Sequence, residues 1–406
     1  MPDLENETQL PELRFPEFRD RDGFKKTRLN KLLVETKTRN RDGKFDKEHV
    51  LSVSGEFGCV NQIELLGRSY AGVSVDNYHV VETGDIVYTK SPLKRNPFGI
   101  IKENKGRPGI VSTLYAVYRT TDEAEPSFLD HFFSSDYNLN VYLQPLVNKG
   151  AKNDMKVKNS DVLLGEIFVP RNDEQERISE FLASLDSLIE AESNTLDALR
   201  EHKKGMLEKL FPPEDGLSPE IRFPEFQKAE NWSTSPLEDL IETVTPPKKL
   251  QTKDYRETGA LGVVDQSPLQ FVAWTDDTTA AIDATLPLIV FGDHTCTLKL
   301  ATERFAQGAD GIKVFDGNNK IDTVFLFHFL ESRPVNSNSY RRHFALLKEV
   351  AVSFPDINSG EQQKIGGFLQ NLDSLLRSQS EKVDGLKMFK LGLIQCLFPA
   401  PEVVGA

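Results

Sequence analysis

The amino-acid sequence predicts a mixed α/β protein with two globular domains, each followed by a long helix, and an antiparallel coiled coil formed by the two helices. Three observations support this architecture. A segment near the start of the chain recurs in its middle, a long heptad-patterned segment occurs twice, and short β-rich runs precede each heptad segment. A length of 406 residues leaves room for two or three domains of ordinary size.

The chain contains an internal repeat. Residues 11–18 read PELRFPEF and residues 219–226 read PEIRFPEF, 208 positions later. A second match, 187 positions apart, relates the Glu-Gln, Leu-Asp-Ser-Leu and Leu-Phe-Pro motifs of residues 174–212 to the same motifs of residues 361–399. The order of the matched segments is the same in both halves. We therefore predict a tandem duplication about a pseudo-two-fold axis, with similar ends and diverged middles.

The middle of each repeat predicts a compact α/β domain with many loops. Short β-rich runs are separated there by Gly, Pro, Asn and Asp, which is typical of strands joined by turns. The runs lie at residues 80–87, 110–118, 163–169, 287–291, 311–315 and 350–354. A turn-rich PPEDG segment at residues 212–216 marks the join between the two halves.

The segment that closes each repeat predicts one helix of a coiled coil. Apolar residues recur there in alternating steps of four and three, which is the period of helices that wind around each other. Two unrelated domain-core helices are the alternative interpretation. The predicted seam consists of Ile178, Leu182, Leu185, Ile189, Leu196, Leu199 and Leu210 in the first copy and Ile365, Leu369, Leu372, Leu376, Val383, Leu386, Leu393 and Leu397 in the second.

Polar residues interrupt this seam at matching steps. Glu192 matches Gln379, and Lys203 matches Lys390. Polar seam residues set the register of paired helices in other coiled coils, but they also suit contacts with partner subunits. The sequence leaves both roles open.

The two helices are also predicted to begin and end alike. Asn172 and Ser359 each precede a glutamine by three residues, which predicts a capping box, and Leu-Phe-Pro ends each helix. A duplicated unit closes most simply about a two-fold axis, and this makes the helices antiparallel. A helix from residue 178 to residue 210 spans about 48 Å at about 1.5 Å per residue. That length is sufficient to hold two DNA-reading domains on neighbouring turns of a duplex.

The composition argues against several classes of protein. The 62 acidic and 49 basic side chains leave a net charge of −13, which disfavours a chain whose whole surface binds DNA or an anionic membrane. Cys59, Cys296 and Cys396 lie far apart and no metal-type histidine spacing occurs, so we expect neither disulfides nor a metal site. The start of the sequence is polar and no apolar run is long enough to span a bilayer, which predicts a cytoplasmic protein.

The combined pattern resembles the specificity subunit of Type I restriction–modification systems. The resemblance lies in the order of a globular segment, a Glu-Gln helix ending in Leu-Phe-Pro, the PEIRFPEF segment, and a second round of both. Shorter matches are GDIV at residues 84–87, GIVS at 109–112, VFGDHT at 290–295 and GADGIK at 308–313.

The resemblance implies a DNA-recognition subunit without a catalytic centre. Target-recognition domains at residues 11–170 and 219–357 would each read one half of a split, asymmetric DNA site. Spacer helices at residues 171–213 and 358–399 would fix the gap between the halves. They would also dock two adenine-N6 methyltransferase subunits and, through them, the restriction subunits. The chain itself would need no cofactor, whereas its partners would use S-adenosylmethionine, ATP and magnesium.

The sequence offers no competing enzyme assignment. It contains no phosphate-binding Gly-x4-Gly-Lys-Ser/Thr loop and no Gly-rich methyl-donor loop. A coiled-coil scaffold that organises protein partners without touching DNA is the alternative function, and the acidic composition favours it slightly. Basic loops in both predicted domains argue against it.

Candidate DNA contacts are basic and small polar side chains. Those of the first domain lie in segments flanked by Pro or Gly, which we expect to be exposed loops. A solvated surface charge is an equally good account of any one of them. Because the net charge is negative, we hypothesise that partner subunits supply most of the grip on the phosphate backbone. The candidates are Lys90, Lys94, Arg95, Asn96, Lys102, Lys105, Arg107, Lys149, Lys152 and Lys156 in the first domain and Lys248, Lys249, Lys253, His294, Thr295, Lys299, Asn338, Arg341 and Arg342 in the second.

Overall fold

The structure is a computed structural model that describes residues 7–91, 93–149, 155–214, 216, 218–308, 311–335 and 343–400. The chain divides into two compact units. The first unit comprises Met1–Ala191 and Val383–Ala406, and the second comprises Glu192–Lys382. The boundaries between the units fall inside the two long helices, so each unit contains parts of both.

The first unit holds mixed helices and short strands, as the sequence predicts. Its strands are β1 (Thr8–Gln9), β2 (Phe24–Arg28), β3 (Leu33–Glu35), β4 (Leu51–Ser54), β5 (Gly58–Asn61), β6 (His79–Val81), β7 (Ile86–Thr89), β8 (Ile100–Glu103), β9 (Gly109–Val111), β10 (Tyr115–Thr120), β11 (Asn148–Lys149), β12 (Met155–Lys156) and β13 (Glu166–Val169). Its helices are α1 (Leu29–Leu32), α2 (Gln62–Leu66), α3 (Pro126–Ser134), α4 (Asp136–Leu143), α5 (Asn159–Val162), the start of α6 (Asn172–Leu210) and the end of the second long helix, α9 (Glu361–Leu397).

The central sheet of the first unit has the strand order β3-β10-β7-β8, and all its neighbouring strands are antiparallel. A three-stranded sheet β1-β2-β13 and the pairs β4-β5, β6-β9 and β11-β12 complete the strand pairing. A buried core joins β7, β8 and β10 to α3, α4 and α6. The aromatic side chains of Tyr88, Tyr118, Phe128 and Phe133 are fully buried in it.

The second unit has fewer strands but a closely related sheet. Its strands are β14 (Ser233–Pro236), β15 (Ile241–Val244), β16 (Leu261–Val264), β17 (Ala273–Thr275), β18 (Leu288–Gly292), β19 (Leu298–Ala301), β20 (Phe305–Gln307), β21 (Ile312–Gly317) and β22 (Ala351–Phe354). Its helices are the end of α6, α7 (Thr323–Ser332), α8 (Phe344–Lys348) and the start of α9 (Glu361–Leu397).

The central sheet of the second unit has the order β15-β21-β18-β19, again antiparallel throughout. A second sheet, β17-β16-β20, contains the parallel pair β16-β20. The core joins β18 and β21 to α7, α8 and both long helices. In both units, therefore, the second strand after the repeated PE[L/I]RFPEF segment, β3 or β15, lies at one edge of the four-stranded sheet.

Some β-rich runs of the sequence are interrupted by turns. The run at residues 80–87 is two strands, β6 and β7, because Gly84 adopts a φ of +86° and the Asp85 carboxylate accepts a hydrogen bond from the Glu82 N–H at 2.8 Å. The run at residues 110–118 is likewise divided between β9 and β10. In the second unit, the predicted runs correspond to the single strands β18, β21 and β22.

The two long helices contact each other in the first unit. Ile178 and Leu182 of α6 share a core with Leu397 near the end of α9. Further along α6, Asp186 forms an ion pair with Lys390, which lies earlier in α9. Because the order of the contacts is opposite along the two helices, they run antiparallel within this unit.

The same relationship holds in the second unit. Glu192 Oε2 accepts a hydrogen bond from Gln379 Nε2 at 2.7 Å. Later in α6, Lys203 Nζ lies 2.5 Å from Asp373 Oδ1, and Leu210 shares a core with residues at the start of α9. All fifteen predicted seam residues are buried or half-buried.

None of the helices in the described part of the chain combines the length and the apolar character that a membrane crossing requires.

Candidate nucleic-acid interface and helix pair

Three of the residues predicted to contact DNA in the first unit have solvent-exposed side chains. The side chains of Lys94, Arg95 and Arg107 are solvent-exposed, and none forms an ion pair or hydrogen bond with another described residue. Arg95 lines a cavity of about 460 Å³ together with Gly55 and Glu56, at the tip of the β4–β5 hairpin. Cations that are not neutralised internally can contact phosphates or the acceptor edge of guanine.

Three other candidates of the first unit point into the protein. Lys102 is buried in β8 and its Nζ donates a hydrogen bond to Ser134 Oγ at 2.7 Å. Asn96 is buried and donates to Asp136 Oδ1 at 2.9 Å. Lys90 is half-buried and donates to the Val157 carbonyl at 3.1 Å. The expectation that these residues lie in exposed loops is wrong for Asn96 and Lys102, because strand pairing and helix packing enclose them.

Burial changes the ionisation of the enclosed lysines. Desolvation lowers the pKa of Lys102, and it lowers the pKa of Lys90 as well. Lys105 differs, because its ammonium lies 2.9 Å from a carboxylate oxygen of Asp130. Desolvation lowers the pKa of Lys105, but Asp130 more than compensates and the net shift is upward. These three lysines therefore make internal contacts, and a DNA contact by any of them stays a prediction.

Several candidates lie outside the described residues. Lys152, Asn338, Arg341 and Arg342 are among them. Lys149 lies in β11 and Lys156 in β12 by their backbone, but their side chains are outside the description. Their predicted contacts with DNA remain predictions.

The candidates of the second unit are also divided between surface and interior. Lys253 is exposed and has no ion pair within the described part of the chain, whereas the exposed Lys248 pairs with Asp277 at 2.7 Å. A hydrogen bond to Asp277 raises the pKa of Lys248. Lys249 and His294 are both solvent-exposed.

The remaining two described candidates of the second unit form hydrogen bonds with backbone carbonyls of residues 265–269. Thr295 is exposed, and its hydroxyl donates to the Gln266 carbonyl at 2.9 Å. Lys299 is buried, and its ammonium donates to the carbonyls of Asp265 and Leu269 at 2.9 and 2.5 Å. Desolvation lowers the pKa of Lys299. Lys299 therefore lies on β19 with its ammonium group held by the backbone of residues 265–269, and a DNA contact by it stays a prediction.

Exposed aromatic residues near these loops were not among the predicted contacts. Phe57 is exposed at the turn of the β4–β5 hairpin, next to the residues that share a cavity with Arg95. Tyr70 is exposed with the Arg68 guanidinium 4.6 Å from its ring centroid. The SGEFG sequence at residues 54–58, in which glycines flank an aromatic residue, is the local signal that would have indicated Phe57.

A buried arginine ties the start of each long helix to the repeated PE[L/I]RFPEF segment. Arg14 donates two hydrogen bonds to Glu174, from Nε and Nη2, both at 2.7 Å. Arg222 does the same to Glu361 at 2.8 and 2.5 Å. Each arginine also donates to two backbone carbonyls, seven and eight residues further along the chain. The matched contacts explain why both repeats retain Arg and Glu at these positions.

The glutamine after each of these glutamates has a different role from the one that the sequence predicts. Gln175 Oε1 accepts from the Glu125 N–H at the start of α3, and Gln362 Oε1 accepts from the Asp322 N–H at the start of α7. Both amide groups also donate to nearby carbonyls. The capping-box prediction is therefore wrong for both glutamines. Their side chains instead fasten a long helix to the N-terminus of a helix in the adjacent globular core.

The Leu-Phe-Pro motif anchors the other end of each long helix. Phe398, after α9, packs on Phe128 and Phe132 of α3 with ring centroids 5.0 and 5.7 Å apart. Phe211, after α6, packs on two phenylalanines of α7 at 5.4 and 5.5 Å. Each unit thus holds the start of one long helix and the end of the other through the same kinds of contact.

The polar residues of the seam face the neighbouring helix. Lys203 pairs with Asp373, and Lys390 pairs with Asp186, which are matching pairs in the two repeats. Glu192 contacts Gln379. Of the two roles that the sequence left open, these contacts favour the setting of helix register.

One group of potential metal ligands lies beside this seam. His328, Glu331 and Asp373 bring their ligand atoms within 4.8 Å of one another. The ammonium group of Lys203 lies 2.6 Å from Glu331 and 2.5 Å from Asp373, where it neutralises both carboxylates. The group is therefore explained as a helix-pairing ion cluster.

Comparisons with known proteins relate the chain to specificity subunits of Type I restriction–modification systems. No protein-family model matches the chain. A curated protein of Methanocaldococcus jannaschii, provisionally named as the specificity subunit of the Type I restriction enzyme MjaX, is 22% identical over 342 residues. The match covers 77% of each chain.

Two solved structures share the fold. The Type I restriction–modification S subunit from M. genitalium aligns with a TM-score of 0.63 and 14% identity, covering 97% of this chain and all of that one. A chain from a study of assembly and conformational transition in the Type I restriction–modification system aligns with a TM-score of 0.51 and 17% identity, covering 92% and 96%. The resemblance to Type I specificity subunits that the sequence predicts is confirmed.

Proposed function

We propose that the chain is the DNA-recognition subunit of a Type I restriction–modification complex and has no catalytic centre of its own. The observation that carries this proposal is the repeated unit, in which a globular α/β core holds the start of one long helix and the end of the other by matching contacts. A curated protein that is 22% identical over 77% of this chain is provisionally named as a specificity subunit.

The globular parts of the two units, residues 11–170 and 219–357, are the proposed target-recognition domains, each reading one half of a split, asymmetric DNA site. Their central sheets have the same strand order, while the loops around them differ in length and sequence. This is the pattern expected of two readers that share a framework and recognise different bases. Exposed side chains such as Arg95, Arg107 and Lys253 are the proposed points of contact.

The helix pair is the proposed spacer between the two halves of the site. Its antiparallel contacts in each unit support a coiled coil with pseudo-two-fold symmetry. Helix α6 contains 39 residues and is therefore about 58 Å long at about 1.5 Å per residue. A continuous helix of this length is stiff enough to fix the number of unread base pairs between half-sites.

The complex would supply the functions that this chain lacks. Two adenine-N6 methyltransferase subunits, with S-adenosylmethionine, and ATP- and magnesium-dependent restriction subunits are the proposed partners, and the cytoplasm is the proposed location. Many of the predicted cations in the described units make internal contacts, so partner subunits would provide most of the attraction to phosphates.

Mapping of DNA methylation tests this function directly. The chain is co-expressed with its cognate methyltransferase subunit, and N6-methyladenine is mapped across the host genome. We expect methylation at one split motif, and we expect exchange of residues 20–170 for those of another specificity subunit to change one half of that motif. A scaffold that never contacts DNA would leave the methylated motif unaltered by the exchange, and this outcome would contradict the proposal.

A further inference from the structure

Each unit carries a β-hairpin at the same point of its fold. The hairpin β4–β5 follows the edge strand β3, and the hairpin β16–β17 follows the matching edge strand β15. The first strand of each hairpin also lies beside a parallel neighbour. Strand β16 pairs with β20, and Val50, directly before β4, forms a parallel bridge with Ile110 of β9. The two hairpins are therefore counterparts, although their sequences differ.

A buried lysine connects each hairpin to the central sheet at the same place. Lys102 of β8 and Lys299 of β19 each lie opposite a valine of the preceding strand, and that valine lies opposite another valine on its other side. In the first unit, the Cys59 thiol of β5 donates to the Lys102 carbonyl at 3.9 Å. In the second unit, the Lys299 ammonium donates to carbonyls of the β16–β17 loop, among them that of Leu269 at 2.5 Å.

The tip of each hairpin exposes a large apolar side chain. Phe57 is 60% exposed in the β4–β5 turn, and Leu269 is 57% exposed in the β16–β17 loop. The Ser54 hydroxyl accepts hydrogen bonds from the N–H groups of Glu56 and Phe57, both at 3.2 Å. The Leu269 backbone is fixed by Lys299. Each unit thus holds the backbone of an apolar residue in place while leaving its side chain in solvent.

Both tips lie beside residues that the sequence predicts to contact DNA. In the first unit, Gly55 and Glu56 of the tip line a cavity together with Arg95, which belongs to the loop that joins β7 to β8. In the second unit, the Gln266 carbonyl of the β16–β17 loop accepts a hydrogen bond from Thr295, which belongs to the turn that joins β18 to β19. These two connections join matching strands of the central sheets, so the tips occupy the same end of each sheet.

The shape of the tips favours DNA over a protein partner. A stable protein interface buries about 800 Å² on each partner, whereas each tip presents a single apolar side chain on a narrow two-stranded ribbon. The major groove of B-DNA is about 12 Å wide and admits such a ribbon. Phe and Leu are also among the side chains that DNA-binding proteins insert between neighbouring base pairs. A duplex is therefore the complementary partner.

The chemistry of the proposed complex creates a need for inserted side chains. An enzyme that modifies a base inside a duplex must first extrude the base, and extrusion costs unstacking energy. An apolar side chain that fills the space left by the base restores stacking with its neighbours and offsets this cost. One tip in each unit corresponds to one modified half-site for each unit.

We propose that Phe57 and Leu269 are wedge residues, which enter the base stack at the half-site read by their own unit and stabilise the extruded adenine. This inference rests on the proposed function. It adds the means by which a chain without a catalytic centre promotes its partner's reaction. Both residues are positioning residues, because they act on the stack around the target base and take no part in the bond changes of methyl transfer.

The fluorescence of 2-aminopurine tests the inference in the assembled complex of the full-length chain and its methyltransferase subunit. The probe is a duplex with the methylated split motif, in which 2-aminopurine replaces the target adenine of one half-site at a time. Phe57→Ala should reduce the fluorescence increase on binding by about tenfold at the half-site of the first unit, because stacking on the ring is lost. Leu269→Ala should do so at the other half-site only. Each variant is thus the matched control of the other.

Further variants distinguish a wedge from a structural role. Phe57→Leu, which introduces the side chain found at the tip of the second unit, should retain most of the fluorescence increase. Phe57→Ala should slow single-turnover methylation at its own half-site while leaving the melting temperature of the chain unchanged. Val34→Ala removes a side chain of β3 that is 56% exposed, and it should change neither fluorescence nor methylation.

The outcomes separate this inference from the proposed function. Fluorescence that neither tip substitution lowers, or that each lowers equally at both half-sites, would overturn the wedge and leave DNA recognition intact. A duplex with deoxyuridine in place of thymidine provides a second test. If it reproduces the effect of Phe57→Ala in the natural chain, the tip contacts a thymine methyl group, and the wedge is again overturned. Failure of the complex to methylate any split motif would contradict the proposed function itself.

Discussion

The ammonium group of Lys203 on α6 lies 2.5 Å from the carboxylate of Asp373 on α9. The matching residues of the first unit, Lys390 and Asp186, form an ion pair between the same two helices. Each lysine is thus fixed by a residue of the opposite helix, and both aspartates belong to the repeated Leu-Asp-Ser-Leu motif. A charge pair between two packed helices tolerates few alternative registers, because a shift would separate each lysine from its aspartate. The repeated motif therefore encodes how the helices align.

Lys203→Met is expected to destabilise the second unit. It leaves Glu331 and Asp373 without their cation, and removal of one partner from a buried pair costs about 3–5 kcal/mol. Asp373 is partly exposed, so we expect a smaller loss of unfolding free energy, about 2–3 kcal/mol. Urea denaturation followed by circular dichroism measures it. Lys204→Met, at an exposed neighbouring position, is the control and should change the free energy little.

Arg222→Ala and Arg14→Ala should each destabilise the chain more than substitution of a surface arginine. Both arginines bind a nearly fully buried glutamate through two hydrogen bonds, so each change leaves a buried carboxylate unpaired, at about 3–5 kcal/mol. Differential scanning calorimetry should show similar losses for both, because the contacts match. Arg177→Ala, which removes an exposed pair with Glu17, should cost about 1 kcal/mol or less. A comparable loss in Arg177→Ala would contradict this explanation.

The sequence predicts the helices well and the placement of single cations poorly. Heptad periodicity is a local pattern, and every apolar residue that it assigns to the helix pair is buried or half-buried in the structure. The Arg14–Glu174 contact joins residues 160 positions apart, and only the repeat, which retains both residues, gave a sign of it. Lys102 lies in a segment flanked by Pro and Gly that predicts an exposed loop, but strand pairing across the chain buries it. Such burial depends on contacts that no local pattern contains.

Acid is expected to destabilise the first unit through two buried histidines. Desolvation lowers the pKa of His79 to about 4, and desolvation also lowers that of His131 to about 4. An unfolded histidine has a pKa of about 6.5, so the unfolded chain binds more protons between pH 6.5 and 4. The stability that these neutral side chains provide is complete above about pH 6.5 and is lost as the pH falls toward 4.

Denaturation at a series of pH values measures this loss. Each histidine contributes up to about 1.4 kcal/mol per pH unit within that range. His131→Leu should make the dependence on pH shallower, whereas the exposed substitution His202→Asn should leave its slope unchanged. An equally steep dependence in His131→Leu would show that other groups cause the acid sensitivity.

Arg95→Ala and Arg107→Ala should weaken DNA binding by the assembled complex without lowering its stability. Both guanidinium groups are exposed and form no ion pair or hydrogen bond with other described residues, so we expect their removal to disturb the packing little. Loss of a base contact costs about 1–3 kcal/mol and relaxes specificity at one position, whereas loss of a phosphate contact weakens binding on every sequence. Fluorescence anisotropy at several salt concentrations distinguishes a base contact from a phosphate contact. Each lost phosphate contact reduces the slope of log affinity against log salt concentration by about 1. Arg177→Ala, on α6, is the matched control. Unchanged affinity and salt slope in both variants would place the DNA on another face of the first unit.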